Sequence, residues 1–296
     1  MKTVGIVGLG DMGLAMAKNL VKAGFDTSGF DLRDQRKTML VEAGGNAAES
    51  VADIGATTDV VFVMVMNGSQ VQDVVLGEQG LLASMDPGKT VIVSATIQPA
   101  EIQALIAPLE SKGIHLIDSP VSGGRFGAEA GTLAMMAAAK KAVFGAQQDV
   151  LQAVGEHIFH VGEEIGGGQM VKATLQGLIG CTFTALFESL VLGAKAGVDG
   201  KTMYEVFTAS AVRSPLIDDC MKRIMDRTFK DTGSQITTVY KDLGITMAMA
   251  REQGVAMFTT STAHELFQSG ISLFPEEDNW SVVKVLEQLA GVEVHW

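Results

Sequence analysis

Val4-Gly5-Ile6-Val7-Gly8-Leu9-Gly10-Asp11-Met12-Gly13 is the stretch that decides the fold of this 296-residue chain. An apolar strand, Val4 to Gly8, runs into G-x-G-x-x-G, and a helical pattern follows from Met12 to Ala23. Three glycines at this spacing are a weak signal alone. Here they stand between a strand and a helix. A second strand, Thr27 to Asp31, ends on an acid 21 residues after Gly10. That combination is the signature of a dinucleotide-binding βαβ unit.

Each position has a physical reason. Gly8 permits the tight turn, Gly10 lets a pyrophosphate approach the backbone, and Gly13 lets the helix pack on the strand. The helix start offers unpaired N–H groups and a positive dipole end to phosphate. Leu9, Asp11 and Met12 complete the turn and join the expected cofactor contacts. Asp31 can accept hydrogen bonds from the adenosine ribose hydroxyls, and its charge repels a 2′-phosphate. The expected cofactor is therefore NAD. Arg33, two residues on, could accommodate that phosphate, so NADP stays open.

Outward from this unit, short apolar runs alternate with helical patterns to about residue 160. Asp59 to Met66 is a continuous apolar strand, as expected when both faces are covered. Thr90 to Ser94 and Ile114 to Asp118 repeat the theme. The pattern predicts a Rossmann-type, doubly wound parallel sheet over residues 1–165. After Gly162 the character changes. Gly166-Gly167-Gly168 punctuates the chain, and Gln169 to Ala196 reads as one long apolar helix. Further helices are expected near 201–210, 215–227, 235–253, 258–268 and 279–290. Residues 166–296 are thus expected to form an all-α substrate and oligomerisation domain, joined to the first by the long helix, with the boundary at 165–170.

Composition narrows the partners. The chain is 47% hydrophobic and 19% charged, with a net charge of −12. Such acidity opposes nucleic acid and anionic lipid, and an anionic substrate would need local cations. Cys181 and Cys220 fit neither a metal site nor a disulfide framework and read as thiols in a reducing compartment. No signal peptide is recognised at the N-terminus. The charge-free stretch between Lys172 and Glu188 falls short of the roughly 20 apolar residues of a membrane span, so it reads as a buried helix. A soluble cytoplasmic protein is the expectation. His115, His157, His160, His264 and His295 show no metal spacing, and no metal is expected. Ser122 lacks the local signature of a hydrolase nucleophile.

Three stretches carry a family resemblance. They are Gly8-Leu9-Gly10-Asp11-Met12-Gly13-Leu14-Ala15-Met16-Ala17-Lys18-Asn19-Leu20, then Asp118-Ser119-Pro120-Val121-Ser122-Gly123-Gly124-Arg125-Phe126-Gly127-Ala128-Glu129-Ala130-Gly131-Thr132-Leu133, then Gly166-Gly167-Gly168-Gln169-Met170-Val171-Lys172-Ala173-Thr174-Leu175-Gln176. On these the chain resembles the β-hydroxyacid dehydrogenases, the group around 3-hydroxyisobutyrate dehydrogenase and tartronate semialdehyde reductase. The resemblance implies NAD-dependent oxidation of the 3-hydroxyl of a small acidic substrate, or reduction of the matching carbonyl. It assigns the substrate's acid group to Ser122, Gly123 and Gly124, and general acid–base work to Lys172. It also places Met66, Asn67, Thr96 and Lys241 near the cofactor.

The sequence departs from the family pattern at three positions. Gln176 stands where relatives carry Asn, and Ser94 and Ala95 replace an Asp and a Ser. Residues i and i+4 share a helix face, so Gln176 keeps an amide beside Lys172 with one more methylene. A lysine in a partly desolvated pocket suits a proton that leaves one hydroxyl and returns to another. Read without the resemblance, Lys172 is equally a lysine snorkelling from an apolar helix, and residues 122–124 are a glycine-rich loop. Arg125 and Arg213 are candidates for anion recognition, or surface arginines. The long apolar helix suggests a homodimer or homotetramer. Three rival readings remain: an imine reductase, a 6-phosphogluconate-type dehydrogenase, for which the chain looks short, and a non-catalytic dinucleotide sensor.

Overall fold

A computed structural model describes residues 2–296. The chain divides into two compact units, Met1–Lys172 and Ala173–Trp296.

The first unit is built on a nine-stranded sheet. In chain order the strands are β1 (Thr3–Val7), β2 (Asp26–Phe30), β3 (Asn46–Ala47), β4 (Val60–Val63), β5 (Thr90–Val93), β6 (His115–Asp118), β7 (Val121–Ser122), β8 (Leu133–Ala138) and β9 (Gly155–Gly162). Their spatial order is β3-β2-β1-β4-β5-β6-β8-β7, and β9 pairs with β8. Strands β1 to β6 are all parallel, whereas β8 runs antiparallel to β6 and β7. The Rossmann-type, parallel-dominated sheet expected from the sequence is present. β4 is shorter than the apolar run containing it, because Val65 to Asn67 turn into the next helix, Gly68–Leu76.

Alternation along the strands explains why those runs are apolar throughout. Phe62, Ile92 and Ile117 enter the core on one face, whereas Val61, Val63, Val91 and Val93 enter the core on the other. Helices cover both faces, so every position of β4 and β5 is buried.

The second unit is helical. The helix Gly167–Lys195 begins in the first unit and continues into the second, followed by Gly200–Ala209, Pro215–Met225, Ile236–Glu252, Phe258–Leu273 and Val283–Ala290. Phe183, Leu186, Phe187, Leu190 and Val191 of the long helix pack with Ile217, Met221, Leu243, Phe267 and Trp280 in one core. Measured by length and composition, this 29-residue helix is apolar enough to cross a membrane, because it extends past the charges that bounded the shorter stretch. Its packing into the core of the second unit gives it another place to bury that surface.

Candidate active site

The glycine-rich turn has the geometry its spacing implies. Gly8 sits at φ +94°, where an L side chain is strained, and a Cβ there would lie 2.4 Å from the Met64 carbonyl oxygen. A Cβ on Gly13 would lie 1.9 Å from the Gly8 oxygen, so the helix Asp11–Lys22 presses directly on the turn. At Gly10 a Cβ would meet nothing within 4 Å. Gly8 and Gly13 are needed by the protein itself, whereas Gly10 faces open space. That open space is where a pyrophosphate would lie, so the turn fits a dinucleotide.

Asp31 follows β2 directly and holds the turn. One carboxylate oxygen accepts the Leu9 amide at 2.8 Å, and the other accepts the Arg33 amide at 2.9 Å and the Arg33 Nε at 3.0 Å. Burial pushes this carboxyl up, but the bonds from Arg33 and Leu9 outweigh burial and hold it below the ordinary carboxylate value. Asp31 is thus a fixed negative charge against the turn, with Arg33 bound to it. Arg36 pairs with Asp11 at 2.8 Å.

Three other expected cofactor contacts, Met66, Asn67 and Thr96, lie after the parallel strands β4 and β5. Asn67 caps the helix Gly68–Leu76 through its side-chain oxygen, which accepts the Gln70 amide at 2.9 Å, and Met66 before it is exposed. Thr96 follows β5 and is half-buried. Of the two family departures there, Ser94 and Ala95 are both buried.

Ser122 ends β7, and Gly123 and Gly124 lead into the helix Gly124–Ala130. Both glycines have positive φ, +135° and +59°, which only glycine adopts easily. Arg125, on that helix, pairs with Glu129 at 2.7 Å. It also lines a cavity of about 390 Å³ with Asp11, Leu14, Lys18 and Arg36, beside the helix that follows the glycine turn. Arg213 is exposed, in the turn between Gly200–Ala209 and Pro215–Met225.

Lys172 lies in the second turn of the long helix and is 6% exposed. The start of that helix has no slack: a Cβ on Gly168 would lie 2.4 Å from the Met136 oxygen and 2.8 Å from the Asp118 oxygen. Asp118, at the end of β6, accepts the Gly166 amide at 2.9 Å, the Gln169 amide at 3.2 Å and the Gln169 side chain at 2.9 Å. Burial raises the Asp118 pKa to about 6, against the pull of these donors. Sequence reasoning gave Asp118 and Gln169 no role. The available signal was an acid opening the Asp118-Ser119-Pro120 segment and a glutamine three residues before Lys172.

In the second unit Gln176 is buried, and its amide donates to Asp242 at 2.5 Å. Lys241 pairs with the same carboxylate at 3.1 Å. Asp242 therefore joins two expected site residues, a link that its place between Lys241 and Leu243 did not reveal. His160 bonds the Ala139 carbonyl at 2.8 Å and stacks on Phe144, which gives it a structural role.

Comparison with known proteins gives the family. Residues 3–162 match the family described as the NAD binding domain of 6-phosphogluconate dehydrogenase. Residues 166–286 match the NAD-binding domain of NADP-dependent 3-hydroxyisobutyrate dehydrogenase. The chain is 36% identical to 2-(hydroxymethyl)glutarate dehydrogenase of Eubacterium barkeri, over 98% of this chain and 97% of that one. It is 33% identical to L-threonate dehydrogenase of Cupriavidus necator, over 99% and 98%. The crystal structure of a 3-hydroxyisobutyrate dehydrogenase from Salmonella typhimurium superposes with a TM-score of 0.89, at 32% identity, over 96% of this chain and all of that one. Over nearly its whole length, then, the chain belongs to the β-hydroxyacid dehydrogenase family, the group around 3-hydroxyisobutyrate dehydrogenase.

Proposed function

We propose that this protein oxidises the 3-hydroxyl of a small acidic substrate, a 3-hydroxy acid or its sulfonate or phosphonate analogue, with NAD, or reduces the matching semialdehyde or ketone. As a family member it is a dehydrogenase of CH–OH groups. The observation that carries the reading is Lys172, a lysine only 6% exposed on a helix whose start is fastened to the sheet, with an amide four residues on.

In the oxidation direction the substrate O–H bond breaks toward Lys172 Nζ, which takes the proton as the C=O bond forms. Gly8 to Gly13 and Asp31 would hold NAD, which would supply the acceptor for the hydride on that same carbon. Met66, Asn67, Thr96 and Lys241 complete the cofactor contacts. Ser122 with the Gly123 and Gly124 amides holds the acid group, and Gln176 orients the substrate. Arg125 and Arg213 supply positive charge that a chain of net charge −12 lacks overall. The ionised Asp31 favours NAD. Its bound Arg33 makes NADP the alternative to test.

The net charge also supports a small-molecule enzyme rather than one that binds nucleic acid or membrane, and the free Cys181 and Cys220 support a reducing compartment such as the cytoplasm. Val171, Leu178 and Leu192, seven and then fourteen residues apart on the long helix, are exposed apolar residues and support a homodimer or homotetramer. A concentration-independent monomer in light scattering would refute that assembly.

The test follows reduced-cofactor absorbance with NAD or NADP against 3-hydroxyisobutyrate, serine, glycerate, L-threonate, 4-hydroxybutyrate, 2-(hydroxymethyl)glutarate and sulfonate and phosphonate analogues. Turnover with NAD that vanishes in Lys172→Ala, while NADH still binds, is the expected result. Turnover retained in Lys172→Ala would refute the role of the lysine. NADH binding without turnover of any acid would favour a sensor or an imine reductase.

A further inference from the structure

We propose that Gln169 is the positioning residue of this enzyme: its buried amide clamps the helix turn that carries Lys172 to the segment bearing Thr96 and to Asp118 at the foot of the Ser122 loop. The proposal rests on the reading of Lys172 as the proton-handling group.

Gln169 is wholly buried, and its amide makes three bonds. Oε1 accepts the Ile97 amide at 3.0 Å. Nε2 donates to the Ala95 carbonyl at 3.0 Å and to Asp118 Oδ1 at 2.9 Å. These partners leave the amide one orientation. Turned by 180°, it would set N–H against the Ile97 N–H, and oxygen against the Ala95 carbonyl and the Asp118 carboxylate. Each partner bears on a different part of the proposed chemistry. Ala95 and Ile97 bracket Thr96. Asp118 precedes Ser122 by four residues. Gln169 itself precedes Lys172 by three residues, one helical turn.

The packing leaves this clamp no slack. Gly168 touches the Met136 and Asp118 carbonyls so closely that no side chain fits, and Gly166 donates its amide to Asp118. A lysine ammonium rides on four rotatable carbons, so its position relative to a bound hydroxyl depends on how firmly its backbone is held. One amide thus ties together three segments that the chain separates by 72 and 51 residues. Misplacing a reacting group by about 1 Å can lower a rate by about 10²-fold without touching the chemistry itself.

The test compares wild type, Gln169→Met and Asp118→Asn as the full chain, with Lys172→Ala as control, on the panel acid that wild type turns over fastest. Gln169→Met keeps the length and apolar stem and removes all three bonds. Asp118→Asn keeps the shape and removes the charge that Gln169 binds. Gln169→Met is expected to lower kcat by about 10²-fold, with the NADH Kd from fluorescence within about twofold of wild type and KM little changed. The primary isotope effect on kcat with the carbinol carbon deuterated should rise, because chemistry becomes rate-limiting. Asp118→Asn should show the same pattern at about tenfold. A folded Gln169→Met variant with kcat within about threefold of wild type overturns the proposal. So does a loss of NADH binding in step with kcat, or failure of both variants to fold, since either assigns Gln169 to general structure. Failure of the underlying reading looks different: Lys172→Ala then retains turnover, or no acid reacts, whatever Gln169 does.

Discussion

Replacing Asp118 with asparagine should change how stability depends on pH. The carboxyl is wholly buried, and burial raises its pKa from 3.8 to about 6 despite the donors from Gln169, Gly166 and Gly168. A raised folded-state pKa means the folded protein holds this proton more tightly than the unfolded chain does. The linked stability is therefore fully present below pH 3.8 and is lost as the pH rises through about 6. The shift corresponds to about 3 kcal/mol in full, of which about 2 kcal/mol falls between about pH 4.5 and 7.5. Asparagine does not titrate. Urea unfolding of both proteins, followed by far-UV circular dichroism across that range, should show wild type losing about 2 kcal/mol relative to Asp118→Asn as the pH rises. Other ionisable groups are common to both proteins and cancel in the difference. A flat difference would show that the carboxyl does not titrate in this window. A wild type that gains stability relative to Asp118→Asn as the pH rises would show that the bonds from Gln169 and its neighbours outweigh burial. Either result refutes the ranking of burial over hydrogen bonding at this residue.

Three substitutions probe the rest of the site. Gly13→Ala sets a Cβ 1.9 Å from the Gly8 carbonyl oxygen, a backbone atom that cannot yield without opening the turn. It should cost about 1–3 kcal/mol in urea unfolding and weaken NADH binding at least about tenfold by fluorescence titration. Asp31→Ala leaves the Leu9 amide without its acceptor and removes the charge that opposes a 2′-phosphate. The ratio of kcat/KM with NAD to that with NADP should fall at least about tenfold, and an unchanged ratio would remove Asp31 from cofactor choice. Gln176→Ala takes a donor from the buried Asp242 and should destabilise the protein by about 1–3 kcal/mol by chemical denaturation, beyond any effect on kcat.

The elements legible in the sequence are those whose causes are local. The glycine turn is one: the positive φ at Gly8 and the close approach at Gly13 involve atoms within or just beyond the motif, so the spacing of three glycines and Asp31 carries them. The central strands are another, since Phe62 and Ile92 face one layer while Val61 and Val91 face the other, and a continuous apolar run records both. β8 was not legible in this way. Leu133-Ala134-Met135-Met136-Ala137-Ala138 is made of good helix formers, and it is a strand because β6, β7 and β9 supply the ladder on either side.

The candidate site divides along the same line. Lys172 and Gln176 belong to one helix, so their shared face follows from helical period alone. Ser122, Gly123 and Gly124 are consecutive, and Asp31 lies one helix and one strand beyond its turn. What fastens Lys172 in place is not periodic and not adjacent. Asp118, Ala95 and Ile97 meet Gln169 only because parallel β5 and β6 end side by side and the long helix starts against those ends. Asp242 likewise meets Gln176 across 66 residues. The sequence by itself determined the cofactor turn, the sheet and the lysine–amide pair, because each is set by local backbone geometry or by the repeat of a single element. Only the tertiary structure decided which buried polar groups satisfy one another, because a buried amide or carboxylate takes whatever partner the packing of distant segments delivers.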